Sequence, residues 1–315
     1  MDMNNDTDII NMNIPMQSIS ILGIVGNLAL LSIIIFSKRL KDPSYIFVLN
    51  ISVSDLITAI QVLIVFSFSN GKSLQILNAG KIICKVCCTI FGISYFASTL
   101  SLTLISLYRL KIVSDPHRFK HTSTIYKHSG KFAITVWIVG LLLVFPISLV
   151  LHFSPINDNC DIYYPYGNIF NSIFFTSTFV TGTIIPGIIM IVNYTRIALI
   201  IRARTFPLIN NTELSKASWK RSKSIFKVLA AATALYMLLS WPFFTSLMIL
   251  SFANETQANL VERNPDLGYV VASTFIASNT VYVINPFLFL IFDTNVRSSI
   301  YNVWVQCQRK FTNQG

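Results

Sequence analysis

"LYRLKIVSDP", Leu107–Pro116, places an arginine, Arg109, at the end of a long apolar run. Pro116 follows seven residues later, and no carboxylate stands beside the arginine. A cation at that boundary raises two questions: what the apolar run is, and what the arginine meets.

Composition answers the first. The 315-residue chain is 53% hydrophobic and only 12% charged, with a mean hydropathy of +0.61. A soluble domain of this size carries far more surface charge. Seven apolar segments, at 14–37, 44–68, 81–113, 129–151, 169–201, 219–251 and 267–291, are each long enough to cross a ~30 Å hydrocarbon layer as a helix. An amphipathic stretch at 293–306 reads as a helix lying on the membrane surface. The expected fold is therefore an all-α membrane protein: one domain over 1–315, with an outer tail at 1–13 and a surface helix and short inner tail at 293–315. The first fifteen residues are polar and acidic, without the basic start of a secretory signal, so segment one is expected to act as both signal and anchor.

Charge gives the orientation. With the N-terminus outside, the outer side carries four basic residues (Lys72, Lys81, Lys85, Arg263) against eight acidic ones, among them Asp158, Asp161, Glu255 and Asp266. The inner side holds the remaining twenty Lys and Arg but only Asp42, Asp115, Glu213 and Asp293. This positive-inside asymmetry predicts a multi-pass plasma-membrane protein facing anionic lipid and cytosolic partners, and it accounts for the net charge of +11 without nucleic acid. The sequons at Asn5 and Asn254 fall outside and are expected to be glycosylated.

A charge at mid-bilayer costs roughly 3 kcal/mol on insertion scales. Asp55 is the one carboxylate well inside a segment, and that cost makes it a functional candidate. Asn27, Ser98 and Asn285 lie at comparable depth and can form a polar cluster with it. Pro146, Pro186, Pro242 and Pro286 interrupt segments four to seven and supply bending points. Cys84 and Cys160 both face the oxidising side, and a disulfide between them would contribute about 4 kcal/mol in the chain-entropy model. Cys307, near Arg309 and Lys310, is a candidate for palmitoylation.

Taken in order, these landmarks resemble the class A (rhodopsin-like) G-protein-coupled receptors over nearly the whole chain. "GN" (Gly26, Asn27), "NISVSDL" ending at Asp55 and Leu56, Cys84 twenty-five residues before Arg109, Trp137, Pro186 and Tyr194 eight apart, "SWPFF" around Trp241 and Pro242, and "NPFLF" (Asn285, Pro286, Phe289) each match a family motif in type and spacing. The resemblance implies that Arg109 meets a heterotrimeric G protein when segment six swings outward. It assigns Tyr108, Pro116, Tyr194, Trp241, Pro242, Asn285, Pro286 and Phe289 to the switch. It implies a sodium site at Asp55. It also implies an outer ligand pocket lined by Phe91, Tyr95, Thr178, Phe179, Phe243, Phe244, Leu247 and Asn279, aromatic and uncharged. Phe91 stands where amine receptors carry an aspartate, so an amine ligand is disfavoured; Asn279 stands where opsins carry a lysine and segment seven has none, so retinal attachment is excluded. The acidic outer surface favours a basic peptide by a small margin, and the aromatic pocket would also suit a neutral lipid-like or small ligand.

The chain also departs from the family pattern. Tyr108 replaces the acid beside the arginine, Phe289 replaces a tyrosine, Val281 replaces a polar residue near Asp55, and Trp241 stands one residue closer to Pro242. With no acid beside it, Arg109 is expected to be poorly restrained and basal signalling raised. These departures leave open a receptor-like protein that does not signal. A transporter would show repeat symmetry and more intramembrane ionisable groups. An enzyme reading finds no metal-ligand spacing among His117, His121, His128 and His152, and no P-loop or nucleophile elbow.

Overall fold

The computed structural model describes residues 13–37, 40–68, 79–115, 123–154, 159–162, 167–205 and 213–302. Among the described residues, seven helical stretches are long and apolar enough to cross a membrane. They are α1 (Asn13–Phe36), α2 (Ser44–Phe68), α3 (Ala79–Ser114), α4 (Ser129–Val144), α5 over 168–205, α6 (Glu213–Ala253) and α7 (Pro265–Phe292).

Each helix is patterned for lipid rather than water. On α1, Met16, Ser20, Gly23, Asn27, Leu30 and Ile34 face the bundle at three- and four-residue steps, while Ile21, Leu22, Val25, Leu28 and Ile35 face outward. Apolar groups cost nothing on a lipid-facing surface, so the polar residues go inside. On α3 the inward stripe is Ser94, Ala97, Ser98, Ser101, Leu102, Ile105 and Tyr108. That helix packs against α2, α4 and α5, while α6 packs mainly on α7, and α7 closes the ring against α1.

Polar cross-links fix the register of the inner helices. The Trp137 indole donates to Asn50 Oδ1 at 2.7 Å, and the Asn50 amide donates to Ser101 Oγ at 2.7 Å, tying α4, α2 and α3 together. Close backbone approach does the same for α3 and α4: a Cβ at Gly92 would lie 2.5 Å from Val144 Cγ1. Gly92→Ala is expected to cost about 1–3 kcal/mol by overpacking. The check is the thermal midpoint of purified protein, with Val144→Ala in the same chain restoring most of the loss.

Pro186 follows a wide helical turn at Val180–Ile184 that joins Asn168–Phe179 to Ile185–Thr205. Pro146 ends α4 early. The chain makes one further turn at Ile147–Val150 and then enters a two-stranded antiparallel hairpin, β1 (Leu151–Ser154) and β2 (Asn159–Ile162). The apolar run to residue 151 therefore does not stay helical throughout, and the all-α expectation gains this hairpin, packed against the Cys84 end of α3. A short helix, Gln257–Arg263, also precedes α7, capped by Thr256 Oγ1 accepting from the Asn259 N–H at 3.1 Å. After α7, Asp293 caps a helix over 294–302, accepting from the amides of Asn295 (2.8 Å) and Val296 (3.3 Å). Val296 and Ser299 face the bundle, while Arg297, Ile300 and Tyr301 are exposed. This is the expected surface helix, and its stretch beyond 302 lies outside the described residues.

Candidate functional site

Asp55 is 5% exposed and joins three helices. Its Oδ2 accepts from the Asn285 amide of α7 at 2.9 Å, and its Oδ1 accepts from Ser98 Oγ of α3 at 3.4 Å. Three members of the expected polar cluster thus meet. The fourth, Asn27, does not bond to Asp55. Its amide donates to the carbonyls of Gly23 (2.9 Å) and Tyr282 (2.8 Å), so it ties α1 to α7, and its Oδ1 is buried without a partner among the described residues.

Beside Asp55 lies a small cleft, with about 30 Å³ of free space for water-sized molecules, lined by Asp55, Thr58, Phe91, Ser94, Tyr95, Ser98, Tyr236, Ser240, Ser278, Asn279, Val281 and Tyr282. Aromatic rings stand around it. Phe275 lies 5.2 Å from Phe243 and 6.2 Å from Phe91, and Tyr95 lies 4.2 Å from Phe244, ring centre to ring centre. The Tyr95 hydroxyl meets Thr183 at 3.0 Å, and Tyr236 bonds to Thr99 and to the Tyr95 carbonyl. Two buried polar atoms of lining residues, Ser94 Oγ and Asn279 Oδ1, have no partner among the described residues.

Of the eight residues expected to line a pocket, Phe91, Tyr95 and Asn279 border this cleft, and Phe243 and Phe244 form its aromatic surround. Thr178, Phe179 and Leu247 are half-buried and outside its lining. Sequence reasoning missed Phe275, Tyr236, Ser94 and Ser240. Phe275 stood one helical turn before Asn279, a spacing that puts both on one face.

Trp241 needs a correction. It is exposed on the outside of the bundle, near Gly187, and Ser240 lines the cleft instead. The cause is helical pitch: moving a residue by one position turns it through about 100° around the axis. Pro242 is exposed beside it, and Pro286 packs against Gly26.

At the other end of the bundle Arg109 is half-buried. Its Nη2 donates to Ser44 Oγ on α2 at 2.8 Å, and its Nε is buried without a partner among the described residues. Among the described residues no carboxylate forms an ion pair with it. Tyr108, fully buried, donates its hydroxyl to Asp42 Oδ1 at 2.9 Å. Tyr194 accepts from Thr233 of α6 at 3.3 Å. Phe289 is buried in the apolar core with Met190, Ile197 and Leu229, so its missing hydroxyl is replaced by packing.

Cys84 is disulfide-bonded and packs against Leu151 of β1. Cys160, its expected partner, stands on β2 opposite Phe153, with its side chain outside the described residues. Asn254 is exposed and has φ of 56°. Asn5, Pro116 and Cys307 also lie outside the described residues.

The fold matches the crystal structure of squid rhodopsin with a TM-score of 0.72 at 18% identity, covering 94% of this chain and 85% of that one. Rat somatostatin receptor type 4 is 22% identical over 295 residues, 90% of this chain and 70% of that receptor. Rat neuropeptide FF receptor 2 is 24% identical over 306 residues, covering 92% and 71%. The G-protein coupled receptor homolog K2 of swinepox virus (strain Kasza) is 24% identical over 301 residues, covering 90% and 74%. Residues 26–289, from the Gly26–Asn27 pair of α1 to Phe289 of α7, match the model of the 7 transmembrane receptor (rhodopsin family), and the chain belongs to that family of membrane receptors.

Proposed function

We propose that this chain is a plasma-membrane receptor, N-terminus outside, that takes an extracellular peptide at the outer end of the bundle and activates a heterotrimeric G protein at the inner end through outward movement of α6. The observation that carries this reading is the cleft itself. It runs from the aromatic wall at Phe91 and Phe275 down to the Asp55–Asn285 joint, so a ligand entering it bears on α3, α6 and α7 together. Relatives named as neuropeptide FF, somatostatin and C-C chemokine receptors favour a peptide, as does the acidic outer surface.

The donor set around Asp55 fits a hydrated sodium ion. It offers one carboxylate, the Ser98 hydroxyl and the unpartnered Ser94 hydroxyl, although Val281 contributes no oxygen. Asp55 and Ser98 would hold the ion, which would supply a positive charge between α2 and α3.

The test is G-protein activation, across the major classes, in cells expressing the chain and exposed to a panel of basic peptides. Activation by at least one peptide, absent from mock-transfected cells and weakened in Phe91→Ala, is expected. Binding of a peptide with no activation in any class would instead establish a receptor-like protein that does not signal.

A further inference from the structure

We propose that Asp42 supplies the acid missing beside Arg109: it is a positioning residue that holds the arginine on the α2 side of the bundle and keeps the receptor quiet. The proposal rests on the signalling reading above for its biological consequence, but not for its chemistry.

Asp42 sits in the turn between α1 and α2. One oxygen, Oδ1, accepts three hydrogen bonds: from the Ser44 amide at 2.9 Å, from Ser44 Oγ at 2.6 Å and from the Tyr108 hydroxyl at 2.9 Å. The Ser44 hydroxyl therefore commits its single proton to the carboxylate. Its lone pairs are left for Arg109, whose Nη2 donates to Ser44 Oγ at 2.8 Å. The carboxylate makes the serine oxygen a better acceptor, and the arginine makes its proton a better donor, so each bond strengthens the other. A carboxylate and a guanidinium are thereby joined through one hydroxyl.

Tyr108 completes the clamp. It stands on α3 next to Arg109 and its ring lies 5.8 Å from the guanidinium carbon. Its hydroxyl, bonded to Asp42, pins the inner end of α3 to the α1–α2 turn at the point where the arginine leaves the helix. An acid at position 108 would repel Asp42, whereas a tyrosine donates to it. The two departures thus belong to one arrangement: the acid has moved from α3 to the α2 side, and α3 carries the hydroxyl in its place. The guanidinium retains an unpartnered Nε, so the clamp holds it by one end and leaves it able to turn away.

An aspartate at this place also caps α2, through the Ser44 amide bond. Capping alone predicts that losing Asp42 lowers folded receptor and output together. The clamp predicts the opposite sign for output per receptor. The experiment measures basal G-protein activation at matched surface levels in wild type, Asp42→Ala, Asp42→Asn, Tyr108→Phe, and Asp42→Ala combined with Arg109→Ala. Asp42→Ala is expected to raise basal output about fivefold, the population shift that loss of a hydrogen bond of ordinary strength produces in a two-state equilibrium. Asp42→Asn keeps an Oδ1 acceptor but loses the charge and is expected to rise part of the way, Tyr108→Phe to rise less than Asp42→Ala, and the double variant to be silent. Output from Asp42→Ala at or below wild type overturns the proposal. Should every chain be silent even with peptide, the signalling reading fails, and thermal midpoints of the purified proteins decide the clamp. Tyr108→Phe adding no further loss to Asp42→Ala supports the shared bond, and additive losses overturn it.

Discussion

Arg109→Ala is expected to bring G-protein activation, basal and peptide-driven, down to background at matched surface expression. The reason lies in how little holds the side chain. It is half-buried, with one hydrogen bond to Ser44, one unpartnered nitrogen and, among the described residues, no ion pair. A planar cation held through one serine hydroxyl, rather than by a buried ion pair, can be released to a cytosolic partner at a cost of about 1 kcal/mol. Removing it removes that contact while leaving the core intact, so folding and surface level are expected to change little. Arg109→Lys keeps the charge but loses the forked donor geometry, and output is expected to fall by about tenfold or more rather than be kept. Cell-surface labelling alongside a G-protein dissociation assay reads both quantities.

Asp55→Ala is expected to act on the fold as well as on the switch. It leaves the Asn285 amide and the Ser98 hydroxyl, both buried, without their acceptor. Each orphaned donor costs about 1–3 kcal/mol, a large share of a typical net stability of about 5–15 kcal/mol. Surface expression and thermal midpoint should fall sharply. Asp55→Asn, turned so that its one amide oxygen accepts from Asn285 and its amide nitrogen donates to Ser98 Oγ, keeps both contacts and is expected to recover most of the folded protein. Combining Asp55→Ala with Asn285→Ala is expected to cost less than the sum of the two, because one bond is counted in both. Loss of midpoint in Asp55→Asn equal to that in Asp55→Ala would mean that charge, rather than hydrogen bonding, holds the joint.

Much of this architecture was legible in the sequence because it is local. A span is a run of apolar residues, and the polar stripe on α3 repeats at helical steps. The Asp55–Ser98–Asn285 cluster was legible for a related reason: a buried polar group in a membrane must find another at its own depth. What was not legible depended on contacts between distant segments or on helical phase. The hairpin's first strand is fused to an apolar run, and nothing in Leu151–Ser154 announces its pairing with Asn159–Ile162. Trp241 kept its residue type but lost its facing, since one residue of displacement turns it out of the cleft. Arg109 looked unrestrained because its neighbours in sequence are uncharged. The acid that reaches its surroundings, Asp42, lies in another turn of the chain and acts through Ser44 and Tyr108.

The central claim is that α6 moves away from the rest of the bundle to admit a G protein. Lys227 on α6 and Lys131 on α4 are both exposed and lie towards the end that holds Arg109. Spin labels at Lys227→Cys and Lys131→Cys, in a chain whose Cys87, Cys88 and Cys307 are replaced by alanine, report their separation in lipid nanodiscs. The measurement compares receptor alone with receptor plus the nucleotide-free G protein whose activation Arg109→Ala abolishes. A longer-distance population that appears with the G protein, and fails to appear in Arg109→Ala, is the predicted result. A distance distribution unchanged by the G protein would contradict the account.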